Sequence, residues 1–292
     1  MTNIKTSIIC ILILFSGSFL SGQTSDDALK KAHELYEKGE YQLVVDILRP
    51  IEQDNSEGEI KMLMADAEHK MEYFDMAIRY YTEAEKAGLK TVDLYFHRGA
   101  AYISIGSYNK ATKDLSKAID IEPEKAELYF YRGYAYTEMD KSEKAMADYS
   151  SAILYNPNYA EAYYNRGAVK IDLGLLNDGG EDLEQAQEIG GLSVDVGFNL
   201  AIIAYEKEDY QKAIELFEKL LETDDSVQKI DAYYYLAECN YQLDKVENAC
   251  RYFYKAMSLG DKDSEEIYRG YCEKGQIRKL FKTRRKTEKV TF

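Results

Sequence analysis

The sequence predicts an all-α protein built as a chain of similar helix pairs, and three observations predict it. One word recurs: "YFHRGAAY", "YFYRGYAY" and "YYNRGAVK" place Gly99, Gly133 and Gly167 34 residues apart. A fixed period of that size is the mark of a repeat array. Pro123 and Pro157 keep the same spacing of 34, so the punctuation repeats with the word. Finally, 46% of the 292 residues are hydrophobic and 30% are charged, with 18 Gly and only 3 Pro. That composition can bury a core and has too few breakers for turn-rich β structure.

Residues 1–22 are expected to be a secretory signal. Lys5 supplies a small basic start, and "SIICILILFSGSFL" is an apolar run of signal length followed by small residues. The run is short of the roughly 20 residues that span a bilayer. Cys10 lies inside it rather than after a small-residue box, which argues against a lipid-anchored form. The reading is an exported protein, periplasmic or secreted; an uncleaved membrane anchor at the N-terminus is the alternative.

Residues 25–263 form the array. A diverged repeat covers about 25–57; successive repeats cover 58–91, 92–125, 126–159, 160–193 and 194–227; another spans about 230–263. Each shows two amphipathic helical patterns around a short turn. The first helix of each carries a small landmark: Ala65, Gly99, Gly133, Gly167, Ala201 or Ala237. The second carries Ala77, Ala111, Ala145, Ala213 or Ala249, then a large residue four positions on: Tyr81, Leu115, Tyr149, Phe217 or Phe253. Small residues let two helices approach, and the large one fills the space beside them.

This pattern resembles the tetratricopeptide repeat family. Residues 126–159 carry nearly all of it in Tyr129, Gly133, Tyr136, Ala145, Tyr149, Ala152 and Pro157. The resemblance covers about residues 25–263 and implies a right-handed α-solenoid whose first helices line a concave groove. The repeat at 160–193 departs from it: Lys170 replaces the Tyr102 and Tyr136 of its neighbours, and Gly179–Gly180 and Gly190–Gly191 enter. Each internal Gly weakens a helix by about 1 kcal/mol, so a softer joint dividing the array into two stiffer halves is expected there. Beyond 263, "SEEIYRGYCEKGQIRKLF" reads as an amphipathic helix capping the last apolar face.

Arg98, Arg132 and Arg166 precede the three glycine landmarks. Asp114, Asp148 and Asp182 stand before the large slot of the same three repeats, while the other full repeats have neither residue. Arg98 and Asp114 lie eight residues either side of Gly106. Equal helical rise from the turn sets such a pair side by side, so a structural ion pair is expected within each of the three repeats. Common ancestry of the three copies would explain the co-occurrence without contact; contact is the favoured reading, because a buried charge needs a partner.

Two ladders follow on the first helices. Three residues before the landmark stand Met62, Phe96, Phe130, Tyr164, Phe198 and Tyr234; six before it stand Glu59, Asp93, Glu127, Glu161, Asp195 and Asp231. Spacing of three shares a helix face. Tyr134, Tyr205 and Tyr241 extend the aromatic strip. These residues form the candidate groove for a protein or peptide partner, with aromatic anchors and an acidic rim favouring basic or neutral ligands. The acids also suit the positive end of a helix whatever the function, and the aromatics are equally suited to packing on a neighbouring helix. One subclass of the family grips terminal carboxylates with Lys, Arg and Asn; the acidic, aromatic surface here does not imply that activity.

The net charge of −15 argues against nucleic acid as a partner of the array. The tail at 278–289 reverses the sign, with Arg278, Lys279, Lys282, Arg284, Arg285, Lys286 and Lys289 against Glu288. Membrane contact is expected only through that tail or an uncleaved signal. His33, His69 and His97 fall in different repeats with no metal-ligand spacing and read as lone surface histidines. No phosphate loop, nucleophile elbow or calcium loop occurs, so no catalysis, metal or cofactor is expected. Cys250 and Cys272 lie eleven residues either side of Asp261 and suit a disulfide stapling the cap; Cys239–Cys250 is also symmetric about its own turn, and register leaves both open. The functional expectation is an exported interaction scaffold. A structural or assembly component, contacted through its convex face or ends, is the competing reading, and a carrier of small ligands in the groove a third.

Overall fold

The structure is a computed structural model that describes residues 25–51, 58–190, 194–222 and 229–274. The expected signal, residues 1–22, and the basic tail at 278–289 lie outside them. Every regular element among the described residues is helical. In chain order they are α1 Ser25–Glu37, α2 Tyr41–Leu48, α3 Gly58–Lys70, α4 Phe74–Lys86, α5 Val92–Ser104, α6 Tyr108–Ile121, α7 Ala126–Thr137 and α8 Ser142–Tyr155. Then come α9 Ala160–Asp172, α10 Leu176–Gly190, α11 Val194–Glu206, α12 Tyr210–Leu221, α13 Lys229–Gln242, α14 Val246–Ser258 and α15 Lys262–Ile267, followed by a π-helical turn at Tyr268–Cys272. Odd- and even-numbered helices alternate as first and second members of the pairs, an all-α helical-repeat solenoid. No helix among the described residues is long and apolar enough to cross a membrane.

The chain divides into two compact units, residues 1–135 and 136–292, with the boundary inside α7. The expected joint at Gly179–Gly180 and Gly190–Gly191 is therefore not where the division falls. Gly179 has another role. A Cβ there would meet Ile171 Cγ1 at 2.7 Å and the Gly167 carbonyl oxygen at 2.9 Å, so α9 and α10 touch backbone to backbone.

The periodic slots are the core. Ala77, Ala111, Ala145, Ala213 and Ala249 are fully buried, as are Tyr81, Leu115, Tyr149, Phe217 and Phe253. The first helices end alike. In α5 the Gly106 N–H donates to the Ile103 carbonyl and the Ser107 N–H to the Tyr102 carbonyl, with Gly106 at φ +70°. This paired closure satisfies carbonyls left over at a helix end and needs a left-handed residue. The same two bonds recur at Glu72, Asp140, Gly174, Glu208 and Asp244, all at positive φ.

The cap begins where the Asp261 carboxylate accepts the Ser264 N–H at 2.9 Å. Within the described residues α15 gives way to the π turn, and Ile267, Tyr268 and Tyr271 pack on the core of the second unit. A disulfide joins Cys250 of α14 to Cys272 of the π turn, and Cys239 is free and buried.

Candidate functional site

In the first unit the acidic and aromatic ladders meet a basic side chain. Phe96 and Asp93 lie on α5, three residues apart on one face. Lys125, just before α7, places its Nζ 5.8 Å from the Phe96 ring centre and 4.0 Å from an Asp93 carboxylate oxygen. Phe96 is half-buried, with Tyr131 of α7 edge-on at 5.1 Å, and Asp93 is exposed. Phe130 packs edge-on to Tyr131 at 5.6 Å, while Phe130, Tyr134 and Glu127 keep part of their surface open.

In the second unit the ladder splits. Tyr164, Phe198 and Tyr241 are partly open, as is Asp231, and Glu161 is exposed. Asp195 falls in α11, but its side chain lies outside the described residues. Tyr205 and Tyr234 are only 6% and 4% exposed, and these two are corrections to the expected groove. Both rings are covered by Tyr235 of α13, at 5.2 Å from Tyr205 and 5.7 Å from Tyr234. Tyr235 in turn stacks on Phe217 at 5.4 Å, nearly parallel. Tyr131 holds the equivalent position on α7, yet Phe130 beside it stays partly open, so the sequence pattern does not separate the two faces.

The arginines bind on three sides. Arg98 donates from Nε to Asp114 Oδ2 at 2.6 Å and from Nη2 to Asp114 Oδ1 at 3.0 Å. Nη2 also reaches Glu85 at 2.6 Å, and Lys117 donates to the other Glu85 oxygen at 2.8 Å. Burial alone would raise the Glu85 carboxyl, but the hydrogen bonds from Lys117 and Arg98 outweigh it and hold its pKa at about 2. Arg166 likewise clasps Asp182 at 2.8 and 2.7 Å, and Lys170, the departure from the repeat pattern, adds a bridge to Asp182 at 2.7 Å. Arg132 belongs to the first unit and Asp148 to the second, so no pairing between them is assigned. Each guanidinium also stands over a ring three residues earlier: Tyr95, Tyr129 and Tyr163 at 5.9, 5.6 and 5.6 Å. Each donates from Nη1 to a hydroxyl of the preceding second helix: Thr82 at 3.3 Å, Ser116 at 2.9 Å and Ser150 at 2.9 Å. These hydroxyls are themselves 34 residues apart, so the sequence carries a signal for them.

His69 and His97 are not lone surface groups. His97 Nδ1 lies 2.8 Å from Asp66 Oδ1, which also accepts the Tyr81 hydroxyl at 2.7 Å. The His69 and His97 ring centres are 6.3 Å apart, and His69 Nδ1 is buried without a hydrogen-bond partner. Burial, then the nearby His97, push the His69 pKa down. Helices stacked in register bring together residues of adjacent repeats, 31 positions apart for Asp66 and His97. Burial pushes the Cys239 thiol up to about 12, so it is no nucleophile at neutral pH. Among the described residues no group of three or more His, Cys, Asp or Glu could hold a metal ion.

Comparison with known proteins supplies a name for the repeat. A family model described as "TPR repeat" matches residues 99–140 and 133–174, and one described as "Tetratricopeptide repeat" matches 198–264. A "Protein SGT1 homolog" from Oryza sativa subsp. japonica is 40% identical over 50 residues, 17% of this chain. The match spans only 14% of that relative's length. The crystal structure of a MamA protein is 28% identical with a TM-score of 0.54, covering 56% of this chain and 90% of MamA. The C-terminal part of a TPR repeat-containing protein from Cytophaga hutchinsonii is 15% identical with a TM-score of 0.70, covering 82% of this chain and 98% of that one. That last likeness concerns the fold alone.

Proposed function

This chain belongs to the tetratricopeptide-repeat family, and on that premise we propose that it is an exported scaffold capturing a basic segment of a protein partner on its acidic, aromatic first-helix face. Scaffolding of protein or peptide partners is the business of this repeat fold, which is typically non-catalytic. The finer reading rests on one observation. Lys125 stands over Phe96 and beside Asp93, so the face already holds a lysine by a ring and a carboxylate. A cation over an aromatic face is worth about 0.5–1 kcal/mol where solvent reaches it, more when desolvated. Phe130 with Glu127, and Tyr164 with Glu161, repeat that ring-and-acid spacing. Export is supported by the apolar N-terminal run and by the Cys250–Cys272 disulfide, a bond of oxidising compartments.

Pull-down from the native envelope fraction tests this. Phe130→Ala with Tyr164→Ala, or Glu127→Lys with Glu161→Lys, should abolish capture of the partner held by the unaltered protein while the helical circular dichroism stays unchanged. Undiminished capture by both double variants would sink the reading.

A further inference from the structure

The second unit contains a cleft of about 430 Å³ between α10, α11 and α12, within the size range of ligand pockets. Gly180 of α10 lines it. The equivalent positions, at the 34-residue spacing, are Thr112, Met146 and Ile214. Packing does not demand the glycine. A Cβ there would meet only Ile203, at 3.8 and 3.9 Å, which is ordinary contact, whereas its neighbour Gly179 has no such room. A glycine inside a helix weakens it relative to alanine. Gly180 therefore carries a stability penalty that close packing does not explain.

The cleft lies away from the acidic, aromatic ladder. At about 100° per residue, Leu200 and Ile203 stand roughly 200° and 500° (that is, 140°) round α11 from Phe198, on its far side. Together with Leu216 of α12 they supply an apolar floor. Its two rims differ in net sign, with Glu181 and Glu184 on α10 and, opposite, Lys207 and Lys212 with Asp209 between them, whose carboxylate accepts the Lys212 backbone N–H at 3.2 Å. Lys212 Nζ and a Glu184 carboxylate oxygen lie 3.9 Å apart across the mouth, and both side chains are more than half exposed. An exposed pair of that kind is weak and opens readily.

The geometry points to a second recognition site: the cleft takes a single leucine- or phenylalanine-sized side chain of a partner peptide, flanked by a basic residue toward Glu181 and Glu184 and an acidic residue toward Lys207 and Lys212. The floor is apolar, and at Gly180 no side chain stands between the α10 backbone and Ile203. The bipolar rim selects flanks of opposite sign. This site stands whether or not the first-helix face binds anything, since the two share no residue.

The test uses the protein expressed from its complete sequence, with isoleucine methyl groups labelled for NMR. The probes are the capped peptides acetyl-Lys-Phe-Glu-amide and acetyl-Lys-Ala-Glu-amide. The Phe peptide should shift the Ile203 δ1 methyl saturably, at least ten-fold more tightly than the Ala peptide, and Gly180→Met should abolish the shift. Because Gly180→Met alters the helix, a surface variant provides a second arm. Lys207→Glu with Lys212→Glu should transfer preference from acetyl-Lys-Phe-Glu-amide to acetyl-Lys-Phe-Lys-amide. No shift at millimolar peptide, equal response to Phe and Ala, or an unchanged preference in the charge-inverted protein would each overturn the assignment.

Discussion

At the scale of single residues, the arginine that interrupts each glycine word is a clip. Arg98 holds Asp114 of its own repeat and Thr82 and Glu85 of the one before, with its side chain and that of Asp114 only 5% and 6% exposed. Removing one partner strands a buried charge, a loss of about 3–5 kcal/mol. Arg98→Leu and Asp114→Leu should each cost that much in urea unfolding, and the double variant far less than their sum; simple additivity would contradict the pair. Glu85 adds a pH dependence with a definite sign. Its pKa falls from 4.5 to about 2 on folding, so its contribution is full above about 4.5 and is lost as pH falls toward 2. Glu85→Gln should flatten the acid limb of stability between those values, and an unchanged limb would count against it. The Arg–Asp partnership was legible because spacing from the turn sets register. Glu85 and Lys117 were not: Glu85 comes from the preceding repeat and Lys117 from that of Arg98, and neither recurs at the 34-residue spacing.

At the scale of elements, helix number and pairing were legible because the 34-residue period is dense with small and large slots. What periodicity could not say is what each glycine does. Gly179 and Gly180 look alike in sequence, and they part company on contact. Gly179→Ala drives a Cβ to 2.7 Å from Ile171 and 2.9 Å from the Gly167 carbonyl, an overpacking worth about 1–3 kcal/mol of destabilisation. Gly180→Ala meets nothing closer than 3.8 Å and should stabilise by about 1 kcal/mol. Thermal melts of the two variants should move in opposite directions; shifts of the same sign would refute the distinction. Turn positions offer a parallel check. Glu208 sits at φ +61° where Gly174 and Gly106 serve elsewhere, so Glu208→Gly should raise stability by up to about 1 kcal/mol. The inward turn of Tyr205 and Tyr234 escaped the sequence reading for a related reason. A partly apolar tyrosine fits core or surface, and the rings packed on it decide which: Tyr210 and Tyr235 on Tyr205, Phe253 and Tyr235 on Tyr234.

At the scale of the whole molecule, a net charge of −15 surrounds first-helix faces whose rings and carboxylates alternate at fixed spacing. The Cys250–Cys272 disulfide closes the end of the second unit across 22 residues. Cys272→Ser should loosen α15 by about 3 kcal/mol, seen as faster amide exchange there than in α12. The most direct measurement for the recognition claim is a titration of the protein with a fluorescent peptide of alternating lysine and leucine, at low and high salt. The lysine peptide should bind, weaken with salt, and lose at least ten-fold in affinity when Asp93→Asn is combined with Phe96→Ala and Glu161→Gln with Tyr164→Ala. Equal binding of a matched glutamate–leucine peptide, or undiminished affinity in that variant, would contradict it.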